Sequence, residues 1–563
     1  MNKKNPIVFI STLLISMTSF AQKDDVPKGW HMMDKETDGY FGVSSVKAYD
    51  FIKSKNLKSK TVIVAVIDSG IDTLQEDLKA ILWTNPKEIP GNGIDDDKNG
   101  YIDDVHGWNF IGGKNGVNVK EDSYEGARVY YSLKSKWGGK EVNKETLNAA
   151  DKAEYIIFKK AESKVIPGTS GGDVGLDINI LKRILTNLLK SDSILKIGMG
   201  KAVYTGKELE AYTTKSDGEK KAKGSLLGIM KGNEAIDQTN KEFIEGISEY
   251  IAGEERKEET KNNPPKTYRK DIVQDDETNI NDRNYGNNDI MASTPMHGTH
   301  CSGIIGAIRN NGKGMDGIAD NVRIMMVRAV PDGDEHDKDI ANAIRYAVDN
   351  GAQVISMSFG KDFSPQKQWV DEAFRYAESK NVLLVHAAGN DSKNVDTADN
   401  FPNPVFIDGK GRASNVITVG ASGDPKSGGL TASFSNYGKK EVDVFSPGVK
   451  IYATLPGGNN YGNLQGTSMA CPLVAGIAAL TLEYFPALSA KQLKFVIEKS
   501  AQVPQYKVKI PGTDEMADLA DISKTGGIVN AYEALKLAST LKGERIAVKE
   551  TLPKPKMVKK KNT

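Results

Sequence analysis

Four side chains in this sequence are of the types that together can turn a weak hydroxyl into a nucleophile. Ser468 sits in Gly466-Thr467-Ser468-Met469-Ala470-Cys471-Pro472, followed by an apolar run from Leu473 to Leu480. A glycine and small polar residues leading into good helix formers deliver a serine to the first turn of a buried helix. That turn has unpaired N–H groups and a partial positive charge, and both stabilise an oxyanion forming beside the serine. Pro472 is tolerated there because its missing N–H costs nothing. Asp68 ends the β-branched run Thr61 to Ile67 and precedes Ser69-Gly70. Such a run reads as a strand buried on both faces, hence a parallel-sheet strand. Open α/β sheets carry their sites at the C-terminal ends of such strands. His297 opens His297-Gly298-Thr299-His300, and Asn390 ends the apolar run that starts at Val382.

Asp-Ser-Gly-Ile-Asp, His-Gly-Thr-His, Ala-Ala-Gly-Asn and Gly-Thr-Ser-Met-Ala occur in the chain order Asp, His, Asn, Ser. With these motifs the sequence resembles the subtilisin-like serine peptidases, or subtilases, over roughly residues 40–110 and 286–540. The resemblance implies an α/β fold, a three-layer sandwich with a mostly parallel central sheet. It also implies an endopeptidase that forms an acyl-enzyme. Serine is a weak nucleophile without a neighbouring base. His297 would take the Ser468 proton and return it to the leaving amine, and Asp68 would fix the imidazole tautomer. The Asn390 amide and the Ser468 N–H would donate to the oxyanion. Ser358, Phe359 and Gly360 would line the substrate cleft, their backbone pairing with an extended peptide. The resemblance makes His300 structural and likens Asp77 to a calcium ligand of the family. His386, inside a strand, reads as a buried, hydrogen-bonded histidine.

These residues need a scaffold, and the rest of the chain supplies one in two pieces. Residues 1–21 read as a secretory leader, with Lys3 and Lys4, an apolar stretch from Ile7 to Phe20, and small residues before Gln22. Export to a periplasm or outside the cell follows. The stretch before Asp68 is too short for the inhibitory pro-domain common in the family, and Ser44 to Leu57 reads as an amphipathic helix. Residues 22–114 and 286–541 are expected to form the catalytic domain. Residues 115–285, rich in Lys and Glu, are expected to be a mostly helical insertion or cap, with the alternative of a decoration without function. Within it, Ala149, Ala153, Ile156, Ile157 and Lys160 fall near one helical face. Ile178, Leu181, Ile184, Leu185, Leu188 and Leu189 form a second stripe. Residues 168–175 read as a loop, and 253–265 as an exposed charged segment. Further on, strand, helix and strand alternate from Arg323 to Phe359, which implies right-handed parallel crossovers. Residues 542–563 are expected to be a basic, disordered tail.

Two acidic stretches invite other chemistry. Asp95, Asp97 and Asn99 alternate ahead of Gly100, with the Tyr101 carbonyl and Asp103 at the next ligand positions of an EF-hand-like loop. His106 stands where that loop needs a bidentate Glu, so Asp104 is the expected replacement. A structural calcium ion is expected, against a plain acidic turn. Asp332, Asp334, Glu335 and Asp337 follow a strand beside the implied cleft. They suggest a preference for basic side chains, against a solvated turn with a helix cap. Cys301 and Cys471, the only two cysteines, each follow a motif residue by a few positions. Two buried free thiols are expected, with a disulfide as the alternative. A net charge of +1 points to no nucleic-acid partner, and no membrane span is expected in the mature chain. Partners are protein or peptide substrates. A catalytically silent scaffold and an acyl-transferase using the same serine are the rival readings.

Overall fold

The computed structural model describes residues 26–166, 177–233, 235–236 and 238–545. The expected leader, the 168–175 loop and the tail beyond 545 lie outside them. Helix α1 (Ser45–Ser54) leads into β1 (Val62–Asp68) and, after a long acidic loop, β2 (Gly107–Asn109). Seven helices follow: α2 (Glu125–Trp137), α3 (Ala149–Val165), α4 (Ile178–Met199), α5 (Gly206–Ala211), α6 (Asp217–Gly232), α7 (Asn240–Glu259) and α8 (Tyr268–Val273). Then come α9 (Met296–Gly306), β3 (Val322–Arg328), α10 (Asp337–Asp349), β4 (Val354–Met357), α11 (Lys367–Ser379) and β5 (Leu383–Ala387). Next are β6 (Val416–Ser422), β7 (Val444–Pro447) and the hairpin β8 (Ile451–Leu455) and β9 (Asn460–Leu464). Helix α12 (Thr467–Tyr484) carries Ser468, and α13 (Ala490–Lys499), α14 (Leu519–Ile522) and α15 (Ala531–Ala538) close the chain.

Seven strands form one sheet in the order β2-β3-β1-β4-β5-β6-β7, every pair parallel. Period-two alternation divides β1 between two cores. Val62, Val64 and Val66 pack toward α1, α9, α12, α13 and α15, while Ala65 and Ile67 pack toward α10 and α11. The result is a three-layer α/β sandwich, as the motifs implied. The chain runs from β1 to β2 and β3 on one side, then crosses to β4 on the other. The sheet order therefore reverses at β1, the crevice where α/β sheets place ligands. Helix α12 is long and apolar enough to cross a membrane, with mean hydropathy 1.3, but 89% of it is buried inside the fold. Its apolar character comes from packing against β4, β5 and β6 on one side and α9 on another.

The helices between β2 and α9 make two small cores. Tyr130, Trp137, Tyr155, Phe158, Ala161 and Val165 of α2 and α3 pack around Phe363, which lies three residues past Gly360. Leu188 and Leu195 of α4 pack with Leu209, Leu226, Met230 and Phe243 of α5 to α7. The expected stripes shift. Ile156 and Ile157 are exposed, because the face containing Tyr155 and Phe158 buries more apolar area. Leu189 is also exposed, while Leu181 and Leu188 are buried. Residues 253–259 are not loose: they continue α7, whose Thr239–Glu242 capping box fixes its start and whose Arg256 reaches Glu121 and Asp332.

The insertion is bolted to the sheet by a buried charge cluster. Arg269 of α8 donates to both oxygens of Asp339 on α10, each at 2.7 Å, and also to Asp275. Arg269 and Asp339 are nearly inaccessible. Removing the cation would take the guanidinium from buried Asp339, whose other donor is the Tyr285 hydroxyl, while Asp275 keeps Lys338. Arg269→Ala is expected to lower stability by about 3–5 kcal/mol, read by urea denaturation. An unchanged midpoint would contradict this account of the insertion's attachment.

Candidate active site

The C-terminal ends of β1, β4 and β5 and the first turn of α12 converge. Asp68 is the last residue of β1, in register with Arg328 at the end of β3. It is 2% exposed. Its Oδ1 accepts the Ser69 N–H at 2.8 Å, and both of its oxygens face His297 Nδ1, at 2.8 and 3.0 Å. This bond assigns the Nδ1 proton and leaves Nε2 as the basic nitrogen. Burial opposes a charge on the ring, but the Asp68 carboxylate outweighs it and holds the imidazole pKa well above 6.5. The His297 side chain is still 36% exposed, so a substrate and its proton can reach it. Close approach of α9 to β1 depends on Gly298. A Cβ there would lie 2.2 Å from the Gly70 carbonyl and 3.1 Å from the Asp68 Cβ.

Ser468 is half-buried in the first turn of α12. Its hydroxyl donates to the Ser358 carbonyl at 3.3 Å, and among the described residues no hydrogen bond joins it to His297. Catalytic contacts of this kind often tighten only when substrate is bound. Asn390 follows β5. Its Oδ1 accepts from the N–H and the hydroxyl of Thr467, at 2.9 and 3.0 Å. Because both partners are donors, the amide orientation is fixed, and its NH2 group is left to face an incoming acceptor. Thr467 was not singled out in the sequence, though it stands inside the serine motif.

Ser358 donates through Oγ to the Ser468 carbonyl at 3.0 Å. The Phe359 carbonyl turns the other way and accepts from His386 Nε2 at 2.8 Å. In an extended segment, alternate residues face opposite sides. Gly360 nevertheless stays close to His386, a Cβ there lying 3.8 Å from Nε2, and among the described residues its backbone groups have no partner. A peptide laid along this edge would meet them. Burial lowers the His386 pKa to about 4, so it is a neutral spacer. Burial likewise lowers His300 to about 4, and its Nε2 bonds the Gly462 carbonyl.

Both cysteines are free and buried. Cys301 donates to the Ser468 carbonyl at 3.4 Å and lies 3.9 Å from His297 Nδ1, while Cys471 points to the Val385 carbonyl. Burial pushes the Cys471 thiol up to about 12. Arg328, also unread in the sequence, is fully buried, and among the described residues it hydrogen-bonds no carboxylate, Asp289 acting on it from a distance. It donates to the Ser69 and Val119 carbonyls, Asn109 Oδ1 and Thr294 Oγ1, bracing the turn after Asp68. Burial lowers it to about 10. The only sequence signal for it is its place at the end of a strand beside Asp68.

The acidic turn 332–337 does not offer its charges to a substrate. Asp332 pairs with Arg256, and Asp337 pairs with buried Lys361 and caps Ser364 and Gln366. Asp334 accepts the Glu125 N–H, and burial raises Glu335 to about 8. The expected preference for basic side chains loses its support, because Arg256 and Glu125 take Asp332 and Asp334, Lys361 takes Asp337, and Glu335 is buried.

The acidic loop departs from the EF-hand expectation. Asp103 accepts all three N–H groups of Gly91, Asn92 and Gly93, so its oxygens are spent holding that turn. Asp104 accepts from Asn85, Asn99 and Tyr346, and burial raises it to about 6. Asn99 Oδ1 accepts the Tyr101 N–H, and the Tyr101 ring packs against Trp108, Phe110 and Tyr346. Asp95 and Asp97 converge instead with Glu88, one oxygen of each lying within 4.8 Å of the others. Asp77 has donors on both oxygens, Asn311 Nδ2 and the Tyr461 hydroxyl.

The sequence matches the Subtilase family over residues 59–526. It is 41% identical over 240 residues to a thermophilic serine proteinase from Bacillus sp. (strain AK1), covering 42% of this chain and 52% of that one. It is 38% identical over 251 residues to thermitase from Thermoactinomyces vulgaris, covering 43% and 77% respectively. To subtilisin DY from Bacillus licheniformis it is 37% identical over 208 residues, covering 36% and 70%. The chain thus spans about half the length of the first of these relatives.

The Asp68 charge favours the imidazolium, so a neutral His297 appears only as pH rises above the ordinary imidazole range. Asp68→Asn is expected to move the acidic limb of kcat/KM to lower pH while cutting kcat by on the order of 10⁴-fold. The pH profile on an activated ester checks both. A limb that stays in place would deny the electrostatic coupling.

Proposed function

This chain belongs to the subtilase family, and from that premise we propose that it is an exported serine endopeptidase acting through Asp68, His297 and Ser468. The observation that carries the reading is the Asp68–His297 bond set beside Ser468 at the start of α12, with the Asn390 amide held open by Thr467. The substrate peptide lies along Ser358-Phe359-Gly360 as an added strand, and the Ser358 carbonyl exchanges the Ser468 hydroxyl for a substrate N–H. Freed, Ser468 Oγ attacks the scissile carbonyl as its proton passes to His297 Nε2. The oxyanion takes hydrogen bonds from Asn390 Nδ2 and the Ser468 N–H, in a site where charge develops next to a helix N-terminus. His297 then gives the proton to the leaving amine. Water repeats the sequence on the acyl-enzyme and restores Ser468.

Residues 22–114 and 286–541 form the catalytic domain in this reading. Residues 115–285 form a helical insertion that buttresses the cleft strand through Phe363. Export rests on Lys3, Lys4, the apolar Ile7–Phe20 stretch and the small residues before Gln22. Calcium belongs to the reading as a structural cation of the acidic loop after β1.

A fluorophosphonate probe followed by peptide mapping tests the reading. The label is expected on Ser468 alone, with casein cleavage abolished in Ser468→Ala while the fold survives. Casein cleavage by Ser468→Ala at the parent rate would overturn it.

A further inference from the structure

The carboxylates of Glu88, Asp95 and Asp97 meet where the turn before the acidic loop folds back on it. Glu88 is 7% exposed. Its Oε1 accepts the N–H groups of Asp96 and Asp97, at 3.0 and 3.2 Å. Its Oε2 is buried and has no donor. A carboxylate oxygen cut off from water without a donor is costly, and here two more carboxylates stand beside it. Asp95 accepts the Asn99 and Gly100 N–H groups, and Asp97 accepts the Asn99 N–H and a long contact from Asn85. These neutral donors do not balance three negative charges. The nearest cation, Lys87, sits 3.6 Å from Asp97 on a side chain 68% exposed, where water screens it.

We propose that Glu88, Asp95 and Asp97 form a calcium site, with Glu88 supplying the carboxylate that the sequence pattern sought in Asp103 and Asp104. The donor set is all oxygen, with neither histidine nor cysteine, which suits a hard cation. Glu88 Oε2 is the oxygen without a donor, and the oxygens of Asp95 and Asp97 beside it carry single N–H bonds, a set that calcium's flexible coordination accepts and magnesium's strict octahedron resists. The ion would tie residues 85–88 to 95–97, and the same turn already holds the approach to β2 through the Asn85–Val105 backbone bond. The inference deepens the calcium part of the proposed function and is independent of the serine chemistry.

The test uses full-length Ser468→Ala protein, so that self-cleavage does not blur it. Bound calcium per chain is counted by mass spectrometry of the metal after dialysis against calcium, and melting is followed with EGTA or excess calcium. Glu88→Gln and Asp97→Asn are each expected to bind one fewer calcium ion per chain and to lose part of the calcium-dependent rise in melting temperature. Asp96→Asn, whose carboxylate caps Ile89 and Asn92 outside the cluster, is expected to keep the full count. If Glu88→Gln fails to fold, Asp95→Asn reads the same count. A full count in Glu88→Gln and Asp97→Asn would overturn this site while leaving calcium elsewhere. A parent that binds no calcium would overturn the calcium reading as well.

Discussion

The buried charge of Asp68 is the constraint from which the rest of the site follows. A carboxylate this inaccessible must be matched by donors, and the fold supplies the Ser69 N–H and the His297 ring. Matching it fixes the imidazole tautomer. Matching it also requires α9 to lie against the end of β1, which Gly298 permits. Arg328 then braces the following turn from behind through four neutral acceptors rather than through a competing carboxylate. A second cation bonded to Asp68 would weaken its pull on His297. Spending Arg328 on carbonyls avoids that.

Elsewhere the same bookkeeping of buried charge attaches the insertion. Arg269, Lys361 and Arg256 each cross from one part of the chain to another and end on carboxylates that would otherwise face the cleft or the core. Helices α2 to α8 are therefore joined to the sheet and its helices by polar contacts and by a small aromatic core at Phe363. The segment Ser358 to Gly360 is held by the Ser358–Ser468 and Phe359–His386 hydrogen bonds, while the backbone of Gly360 stays open among the described residues.

The sheet and the four motif residues were legible because each rests on local pattern. A β-branched run such as Thr61 to Ile67 reads as a buried parallel strand, and a glycine-led serine ahead of small apolar residues reads as the start of a core helix. What escaped reading depends on convergence across the sequence. Glu88 meets Asp95 and Asp97 through a turn whose geometry no spacing rule encodes. The EF-hand pattern pointed to Asp103, yet three successive N–H groups of the 91–93 turn claim that carboxylate. The acidic run 332–337 read as a specificity feature because its partners, Arg256 and Lys361, lie in other segments of the chain. In α3, the helical period was right and the buried face wrong, since Tyr155 and Phe158 outweigh two isoleucines in area.

The account's central claim is that Asp68, His297, Asn390 and the first turn of α12 form one site built around charge developing beside Ser468. The most direct measurement is a crystal structure of the adduct with a small phosphonate. The account predicts a covalent bond from Ser468 Oγ to phosphorus. It places the phosphoryl oxygen about 2.7–3.1 Å from Asn390 Nδ2 and the Ser468 N–H, with His297 still bonded to Asp68. An adduct on another residue, or a phosphoryl oxygen turned away from Asn390, would contradict it.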